Sequence, residues 1–303
     1  MNSTALVQSF QAADMVVGRR VATDIRRSPA PALWLTMHPD GDTGVHNFTS
    51  SLLAELRGVI DALRRTGGTW DLAWPPTEVG YLVVRSSDPE YFSVGGDLQH
   101  FRTCIDAGDE AAMRAYSMQC LELLADWSAL LKDRMTTVSL VQGRALGGGF
   151  EMALSADYII AEEHSSFGFP EIMFGLFPCT GAMGLLSRRV GPVQAERMMT
   201  NNRIYTAREL HAMGLIDELC PNGQGERATE LFIQRHAARR QAFLKVQQSR
   251  MRMAPLDLVE AMRVVEDWVE LAMHLDRDAS RALDMLILMQ QGARREVVTR
   301  KAA

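Results

Sequence analysis

Cysteine is scarce in this chain, and long apolar runs are missing. The four cysteines lie far apart, lack the CxxC spacing of a metal site and are too few for a disulfide scaffold. No apolar run is long enough to span a bilayer, and the N-terminal stretch lacks the charged start and apolar core of a signal peptide. These absences predict a soluble, cytoplasmic protein that does not enter a membrane.

The chain also lacks an excess of basic charge. It has 37 acidic residues against 32 lysines and arginines, a net charge of −5, and 47% hydrophobic residues in a length of 303. A general nucleic-acid binder needs a basic face to displace counterions, so the charge argues against nucleic acid as a partner. The length and composition fit one large globular fold with a sizeable core.

Several catalytic motifs are absent as well. Neither GxGxxG nor GxxxxGK[ST] occurs, which argues against nucleotide binding of those two kinds. HExxH and GxSxG are missing too, and no metal ion or resident cofactor is predicted. The chemistry is therefore sought in residues outside these motifs.

Strands and helices alternate through the first two thirds of the chain. Short runs of branched and aromatic residues predict buried strands at 79–84, 137–141 and 158–161, and apolar residues at helical spacing predict a helix near 49–65. A long helical region is expected to end at about Lys132. Such alternation indicates an α/β fold with a largely parallel sheet.

Three segments are predicted along the chain. Residues 1–32 are expected to form a leader, residues 33–222 the core domain, and residues 223–303 a helical region. Within the last segment, 226–248 and 255–275 are each predicted as one helix. The second of these carries an apolar stripe, which fits packing within the subunit, an oligomer interface or a lid over a ligand.

Two glycine loops, each between a predicted strand and a predicted helix, are the first candidates for chemistry. One contains Gly95 and Gly96, and the other contains Gly147 and Gly148. Glycine permits close approach of the backbone, so Gly96 and Gly148 could each point an N–H group at one oxygen that becomes negative in a transition state. Two ordinary tight turns are the alternative.

Two glutamates accompany these loops. Glu151 follows the triple glycine in an apolar helical segment, and Glu171 lies twenty residues later, between Pro170 and Ile172. Burial would raise the pKa of either carboxyl group toward the range useful for proton transfer. A structural role as a satisfied buried carboxylate is the alternative for each. Together with the loops, the pair predicts acid/base chemistry on a substrate whose carbonyl is held by two amides.

These residues resemble the crotonase (enoyl-CoA hydratase/isomerase) superfamily. The matching pieces are Phe92-Ser-Val-Gly-Gly-Asp-Leu98, Val141-Gln-Gly-Arg-Ala-Leu-Gly-Gly-Gly-Phe-Glu151, Ser155-Ala-Asp157, Phe167-Gly-Phe-Pro-Glu171 and Gly214-Leu-Ile-Asp217. The resemblance implies a spiral of ββα units over residues 33–222. It also implies C-terminal helices that assemble a homotrimer, often paired as a dimer of trimers.

The resemblance assigns roles by motif position. Gly96 and Gly148 correspond to the oxyanion-hole donors, and Glu151 and Glu171 to the catalytic acid/base pair. Substrate contact is expected from Gly95, Gly147, Met173 and Leu176. The substrate would be an acyl thioester carried on coenzyme A or on the phosphopantetheine of acyl carrier protein.

Within that superfamily the chain resembles most the diffusible-signal-factor synthases. The supporting pieces include Phe174-Gly-Leu-Phe-Pro178, the helix with Gly108-Asp109, and Trp268-Val269. The resemblance implies dehydration of a 3-hydroxyacyl thioester and hydrolysis of the thioester, which releases a cis-2-unsaturated fatty acid used in quorum sensing. It is also compatible with a regulatory signalling partner. The rivals are a plain enoyl-CoA hydratase or isomerase of fatty-acid metabolism and an inactive acyl-binding or regulatory scaffold.

Overall fold

The computed structural model of the chain describes the backbone of residues 15–301 and the side chains of residues 18–291. The strands are β1 Met15–Val17, β2 Val21–Arg26, β3 Ala32–Met37, β4 Thr69–Trp70, β5 Thr77–Glu78, β6 Tyr81–Ser86, β7 Tyr91–Ser93, β8 Thr136–Val141, β9 Arg144–Leu146, β10 Tyr158–Glu162, β11 Ser166–Gly168, β12 Tyr205–Thr206 and β13 Glu218–Cys220.

The helices surround these strands. They are α1 Ser50–Arg65, α2 Leu98–Ala107, α3 Glu110–Ala129, α4 Gly148–Ser155, α5 Ala182–Val190, α6 Pro192–Thr200, α7 Ala207–Ala212, α8 Gly225–Ala237, α9 Arg240–Met253, α10 Leu258–Met273 and α11 Arg277–Lys301, with a 3-10 helix at Pro170–Phe174. Within residues 15–301, no helix is both long and apolar enough to cross a membrane.

Two sheets form the centre of the fold. The larger has the order β1-β2-β3-β6-β8-β10-β13, and its strands from β3 to β13 run parallel. The smaller has the order β12-β11-β9-β7, in which β7, β9 and β11 are parallel. The predicted α/β class with a parallel sheet is confirmed.

The chain builds both sheets at once by repeating one unit. The pairs β6–β7, β8–β9 and β10–β11 each place one strand in the large sheet and the next in the small sheet, and each pair is followed by helical structure. This is the predicted ββα spiral. Because β7, β9 and β11 lie side by side, the residues that follow them all meet at one edge of the small sheet.

The compact fold begins earlier than residue 33. β1 and β2 pair antiparallel within the large sheet, and β2 pairs residue by residue with β3. Arg20, expected in a leader, is buried and donates to the carbonyls of His38 and Asn47. The expectation of a leader over 1–32 is thus wrong for residues 15–32, whereas residues 1–14 lie outside the described part of the chain.

Two predicted long helices are broken. The region after Asp97 divides into α2 and α3 because Gly108 adopts the left-handed conformation with φ +65° and Asp109 caps the next helix. The helix predicted over 226–248 is wrong as a single element, since α8 ends at Ala237 and α9 begins at Arg240. α8 covers the face of the large sheet formed in part by Trp34.

Candidate active site

The first glycine loop connects β7 to α2. Gly95 has φ +98°, which a side chain would disfavour, and a methyl group built on it would lie 2.9 Å from the Leu146 carbonyl and 3.1 Å from the Gly148 nitrogen. Asp97 ends the loop and caps α2 by accepting a hydrogen bond from the His100 N–H. Glycine at position 95 therefore allows the first loop to touch the second.

The second glycine loop connects β9 to α4. Gly147 has φ +53°, and a methyl group on it would lie 2.4 Å from Glu171 Oε1. Gly148 is the first residue of α4, and the first amides of a helix have no acceptor within it. The positive end of the helix dipole thus faces the same space as the free amides.

The two loops bring two backbone amides together. A methyl group on Gly148 would lie only 3.6 Å from the Gly96 nitrogen. Within the described residues, no acceptor lies within hydrogen-bond distance of the Gly96 N–H. Gly96 and Gly148 thus bring two backbone amides close together, which is the arrangement that an oxyanion hole requires.

Glu151 lies on α4, one turn beyond Gly148. Its side chain is 2% exposed and accepts hydrogen bonds from Thr180 N–H at 2.8 Å, from Ala182 N–H at 3.0 Å and from the Thr180 hydroxyl. Burial raises the pKa of Glu151 from 4.5 to about 7, although the three donors oppose this rise. Glu151 can therefore carry or release a proton near neutral pH.

Glu171 lies in the 3-10 helix that follows β11. The residue is partly accessible, yet its Oε2 atom is removed from solvent and has no hydrogen-bond partner within the described residues. Burial, and after it the negative charge of Glu151, raises the pKa of Glu171 to about 8. A buried carboxyl oxygen without a partner is costly for folding, which is typical of a group that acts on a ligand.

A cavity of about 230 Å³ joins these groups. Both glycine loops and both glutamates line it, and most of its remaining wall is apolar. The wall residues outside the two glycine loops and the glutamates are Phe48, Tyr91, Leu98, Phe101, Tyr116, Ser117, Cys120, Leu123, Leu124, Arg144, Leu146, Pro170, Phe174, Phe177, Pro178, Cys179, Thr180, Trp268, Leu286, Met289 and Gln290. An acyl chain fits such a wall, with its carbonyl at the two amides.

The predicted site residues divide into two groups. Gly95, Gly96, Gly147, Gly148, Glu151 and Glu171 all line the cavity. Met173 and Leu176 do not: Met173 is 51% exposed on the surface, and Leu176 is 2% exposed in the core. The 3-10 helix has three residues per turn, so Phe174 rather than Met173 lies on the same face as Glu171.

Several cavity residues were not predicted as site residues. Thr180 holds Glu151 through two hydrogen bonds, although it lies 29 positions away in the chain. Trp268 comes from α10 and packs against Phe101 with ring centroids 4.9 Å apart. Gln290 comes from α11 and donates to the Val94 carbonyl at 3.3 Å. No local sequence signal links these residues to the glycine loops.

The stripe predicted on α10 serves two surfaces. Val265, Val269 and Ala272 are fully buried within the subunit, which confirms packing for that part. Leu258 and Met262 are about half exposed at the start of the helix.

In the described part of the chain, no group of three or more His, Cys, Asp or Glu side chains could hold a metal ion.

Comparison with known protein families gives a match over most of the chain. The sequence model of the family described as enoyl-CoA hydratase/isomerase matches residues 76–277. A probable enoyl-CoA hydratase, EchA17 of Mycobacterium bovis, is 35% identical over 163 residues, which cover 54% of this chain and 57% of the relative. The fatty acid oxidation complex subunit alpha of Vibrio cholerae is 25% identical over 62% of this chain but only 25% of its own length.

The chain thus spans little more than half the length of the first of these relatives, and a quarter of the second. Solved structures are covered more fully. Enoyl-CoA hydratase from Bacillus halodurans shares the fold with a TM-score of 0.69 and 22% identity, covering 88% of this chain and 99% of that structure. Pseudomonas aeruginosa DspI is similar with a TM-score of 0.64 and 25% identity, covering 86% and 91%.

Proposed function

Because the chain belongs to the enoyl-CoA hydratase/isomerase family, the crotonase superfamily, we propose that it dehydrates a 3-hydroxyacyl thioester and then hydrolyses the thioester. One observation supports this most strongly. The free amides of Gly96 and Gly148 face the same apolar cavity as two carboxyl groups whose pKa is raised to about 7 and about 8.

The amides first polarise the thioester. The carbonyl oxygen accepts hydrogen bonds from Gly96 and Gly148, which stabilise the enolate that forms when the neighbouring carbon loses a proton. Removing one such donor typically lowers the rate by about a hundredfold to a thousandfold. The apolar wall excludes water and strengthens both hydrogen bonds.

The two glutamates then move protons in opposite directions. Glu171 takes the proton from carbon 2 with its unpartnered Oε2. The contact of its carboxyl group with Gly147, next to the Gly148 amide, supports this role. Glu151 gives its proton to the 3-hydroxyl group as the bond from carbon 3 to oxygen breaks. A double bond forms between carbons 2 and 3, one water leaves, and the pair keeps one proton in total.

This assignment needs the proton on Glu151 and the negative charge on Glu171. The pKa values of about 7 and about 8 favour the opposite distribution of the single proton. The difference of about one pKa unit corresponds to about 1.4 kcal/mol, which is small beside the contribution of an oxyanion hole. Exchange of the proton within the pair therefore does not prevent the reaction.

Hydrolysis follows at the same carbonyl. One ionised glutamate takes a proton from water as the oxygen bonds to the thioester carbon, and the two amides hold the tetrahedral oxyanion. The bond from carbon to sulfur then breaks, and the same glutamate returns the proton to the departing thiolate. The proposed product is a free cis-2-unsaturated fatty acid that acts as a cell-to-cell signal. Support comes from the sequence resemblance to the diffusible-signal-factor synthases. The proposed carrier is acyl carrier protein or coenzyme A, which implies a cytoplasmic reaction.

A second function has its own support. Relatives such as EchA17 are named as probable enoyl-CoA hydratases, and hydration of an enoyl thioester is the reverse of the first step proposed here. A plain hydratase would use the same amides and glutamates but would leave the thioester intact. Release of the free acid separates the two functions.

We further propose a homotrimer assembled by the C-terminal helices. The first turns of α10 expose Leu258, Val259 and Met262, each at least 48% accessible. Apolar side chains grouped on one helix end are suited to burial between subunits. Light scattering coupled to size exclusion should give three times the 33.7 kDa mass of the chain, or six times for a dimer of trimers.

The test uses two thioesters that carry the same acyl group on different carriers. 3-Hydroxydecanoyl thioesters of acyl carrier protein and of coenzyme A are incubated with the protein, and the products are identified by mass spectrometry. Loss of water together with free unsaturated acid supports the proposal. Loss of water with an intact thioester supports the plain hydratase, and no turnover of either substrate or of the enoyl thioester would support an inactive scaffold.

Three variants make the test specific. Glu151→Gln and Glu171→Gln remove one proton site each while keeping shape, and each should lower turnover by at least a hundredfold. Glu196→Gln changes an exposed glutamate on α6, outside the cavity, and should leave turnover unchanged. Near-normal turnover in both cavity variants would refute the mechanism.

A further inference from the structure

The first glycine loop needs support from outside itself. A free Gly96 N–H contributes to an oxyanion hole only while its direction is fixed, yet two adjacent glycines give the loop wide backbone freedom. Val94 N–H donates to the His46 carbonyl at 2.8 Å, and Phe48 N–H donates to the Gly95 carbonyl at 2.9 Å. The loop is therefore fixed on one side by residues 46–48.

Phe48 and Gly96 lie opposite each other as a parallel β-bridge. Such a bridge normally has two direct hydrogen bonds, of which the bond from Phe48 N–H is one. The other is replaced by the hydroxyl group of Tyr116, from α3. This hydroxyl accepts from Asp97 N–H at 2.9 Å and donates to the Phe48 carbonyl.

The hydroxyl group lies close to Gly96. A methyl group built on Gly96 would lie 3.7 Å from Tyr116 Oη, and Asp97 N–H, which donates to that oxygen, belongs to the next peptide unit. The Gly96 N–H belongs to the peptide unit whose Gly95 carbonyl accepts from Phe48 N–H, and the Asp97 N–H belongs to the next unit. With both planar units held, φ and ψ of Gly96 between them are restricted. Backbone groups thus take the hydroxyl's single donor position and one of its acceptor positions.

The ring of Tyr116 has little freedom to move. It packs edge to face on Phe101, with ring centroids 5.4 Å apart, and against His100 at 5.0 Å. Burial raises the pKa of Tyr116 well above 10, so the hydroxyl keeps its proton at any working pH. A rigid, neutral hydroxyl can donate to Phe48 and accept from Asp97 at the same time.

We propose that Tyr116 is a positioning residue, whose hydroxyl group bridges Phe48 and Asp97 and thereby aims the Gly96 N–H at the thioester oxygen. The inference rests on the proposed function, since it gives the Gly96 amide a carbonyl to bind. Tyr116 acts through Gly96 and takes no part in proton transfer.

The test removes only the hydroxyl group. Tyr116→Phe keeps the ring but leaves Asp97 N–H and the Phe48 carbonyl without their shared partner. We expect kcat for dehydration to fall between tenfold and a hundredfold, with KM changed by less than about threefold, because misaiming affects the developing oxyanion more than the ground state. Tyr205→Phe is the matched control, since Tyr205 is buried, accepts a hydrogen bond from Asn201 at 2.7 Å and lies outside the cavity.

A second readout reports on the amide directly. The probe is S-(2-oxodecyl)pantetheine with carbon-13 at the ketone, which cannot be hydrolysed. Hydrogen bonding to the ketone moves its carbon-13 NMR signal downfield. We expect a downfield shift in the wild type and in Tyr205→Phe, and a shift reduced by at least half in Tyr116→Phe at saturating probe.

The outcomes separate this inference from the proposed function. A wild type without downfield shift and without turnover would refute the oxyanion hole itself. A second outcome would refute only the role of Tyr116. In it the wild type shows the downfield shift, and Tyr116→Phe shows an equal shift and a kcat within twofold of the wild-type value. If Tyr116→Phe does not fold, 4-aminophenylalanine at position 116 keeps a donor to the Phe48 carbonyl but is a poor acceptor for the Asp97 N–H. It should show a reduced shift, and a shift and kcat equal to those of the wild type would refute the role.

Discussion

Replacing Glu171 by glutamine should change how stability depends on pH. The carboxyl group has a pKa near 4.5 in the unfolded chain and about 8 in the folded protein, chiefly through burial and then through the charge of Glu151. Below pH 4.5 the group is neutral in both states. As the pH rises from 4.5 to about 8, the unfolded chain ionises first, so the folded wild type loses stability.

The magnitude follows from the two pKa values. At 1.36 kcal/mol for each pKa unit, the difference between 4.5 and about 8 corresponds to at most about 5 kcal/mol of lost stability above pH 8. Solvent contact of part of the side chain lowers this value. Glu171→Gln cannot ionise, so its stability relative to the wild type should rise steadily between pH 5 and pH 8 and then level off.

Urea unfolding followed by circular dichroism measures this difference at each pH. Glu196→Gln is the control, because that side chain is exposed and its difference from the wild type should not change with pH. If Glu171→Gln also differs from the wild type by a constant amount between pH 5 and pH 9, Glu171 ionises as an exposed carboxylate does. The reasoning that keeps it protonated at neutral pH would then be refuted.

Three further predictions concern the surroundings of the pair. Thr180→Val removes the hydroxyl donor to Glu151, so the pKa of Glu151 should rise. Because Glu151 acts in its protonated form, the alkaline limb of the profile of kcat against pH should shift to higher pH by about one unit. Gly147→Ala places a methyl group against Glu171 at φ +53° and should lower kcat by at least about a hundredfold. Asp157→Asn removes the negative partner of the buried Lys132 ammonium group. It should lower the free energy of unfolding by about 3 kcal/mol in a urea titration, without abolishing turnover.

Each of these predictions has a matched check. Gly214→Ala introduces a methyl group at φ +78° with no atom within 4 Å, so it reports backbone strain without a blocked carboxylate. Thr200→Val removes a hydroxyl group on the exposed end of α6 and should leave the pH profile unchanged. For Asp157, whose carboxylate accepts from Lys132 at 2.7 Å and from Thr137, an unchanged urea midpoint would contradict the proposed burial cost.

The candidate catalytic groups are accessible to sequence reasoning because each lies next to a local signal. Gly96 and Gly148 follow short strands and precede helices, and Glu151 is one turn beyond the second loop. Parallel neighbouring strands then bring the loops together. These local signals predict the glycine loops and the glutamates without any knowledge of distant contacts, whereas the ββα repeat was implied by the resemblance to the crotonase superfamily.

The remaining wall of the cavity comes from tertiary packing. Trp268 and Gln290 reach the cavity from α10 and α11. Both lie more than a hundred residues after α4, the helix that begins at Gly148 and carries Glu151. Tyr116 shows the same limit, since its hydroxyl replaces a backbone hydrogen bond that no periodicity predicts. Met173 was misplaced because a 3-10 helix, rather than a loop, follows β11.

Helix boundaries depended on whether a breaking residue was present. Gly108 ends α2 with a left-handed residue, which is a readable signal. The break between Ala237 and Arg240 contains neither glycine nor proline, so no local signal predicts it, and α8 before it packs on the large sheet. The strands β1 and β2 were missed because the prolines at 29 and 31 suggested that the fold begins after them.

Exchange of the proton on carbon 2 tests the central chemistry most directly. A 3-hydroxyacyl thioester is incubated with the protein in D₂O, and deuterium at carbon 2 and loss of water are followed together by mass spectrometry. The wild type should dehydrate the substrate and return deuterium to carbon 2 of the remaining substrate, while Glu171→Gln should do neither at a comparable rate. A wild type that shows neither exchange nor loss of water would contradict enolate formation between Gly96 and Gly148.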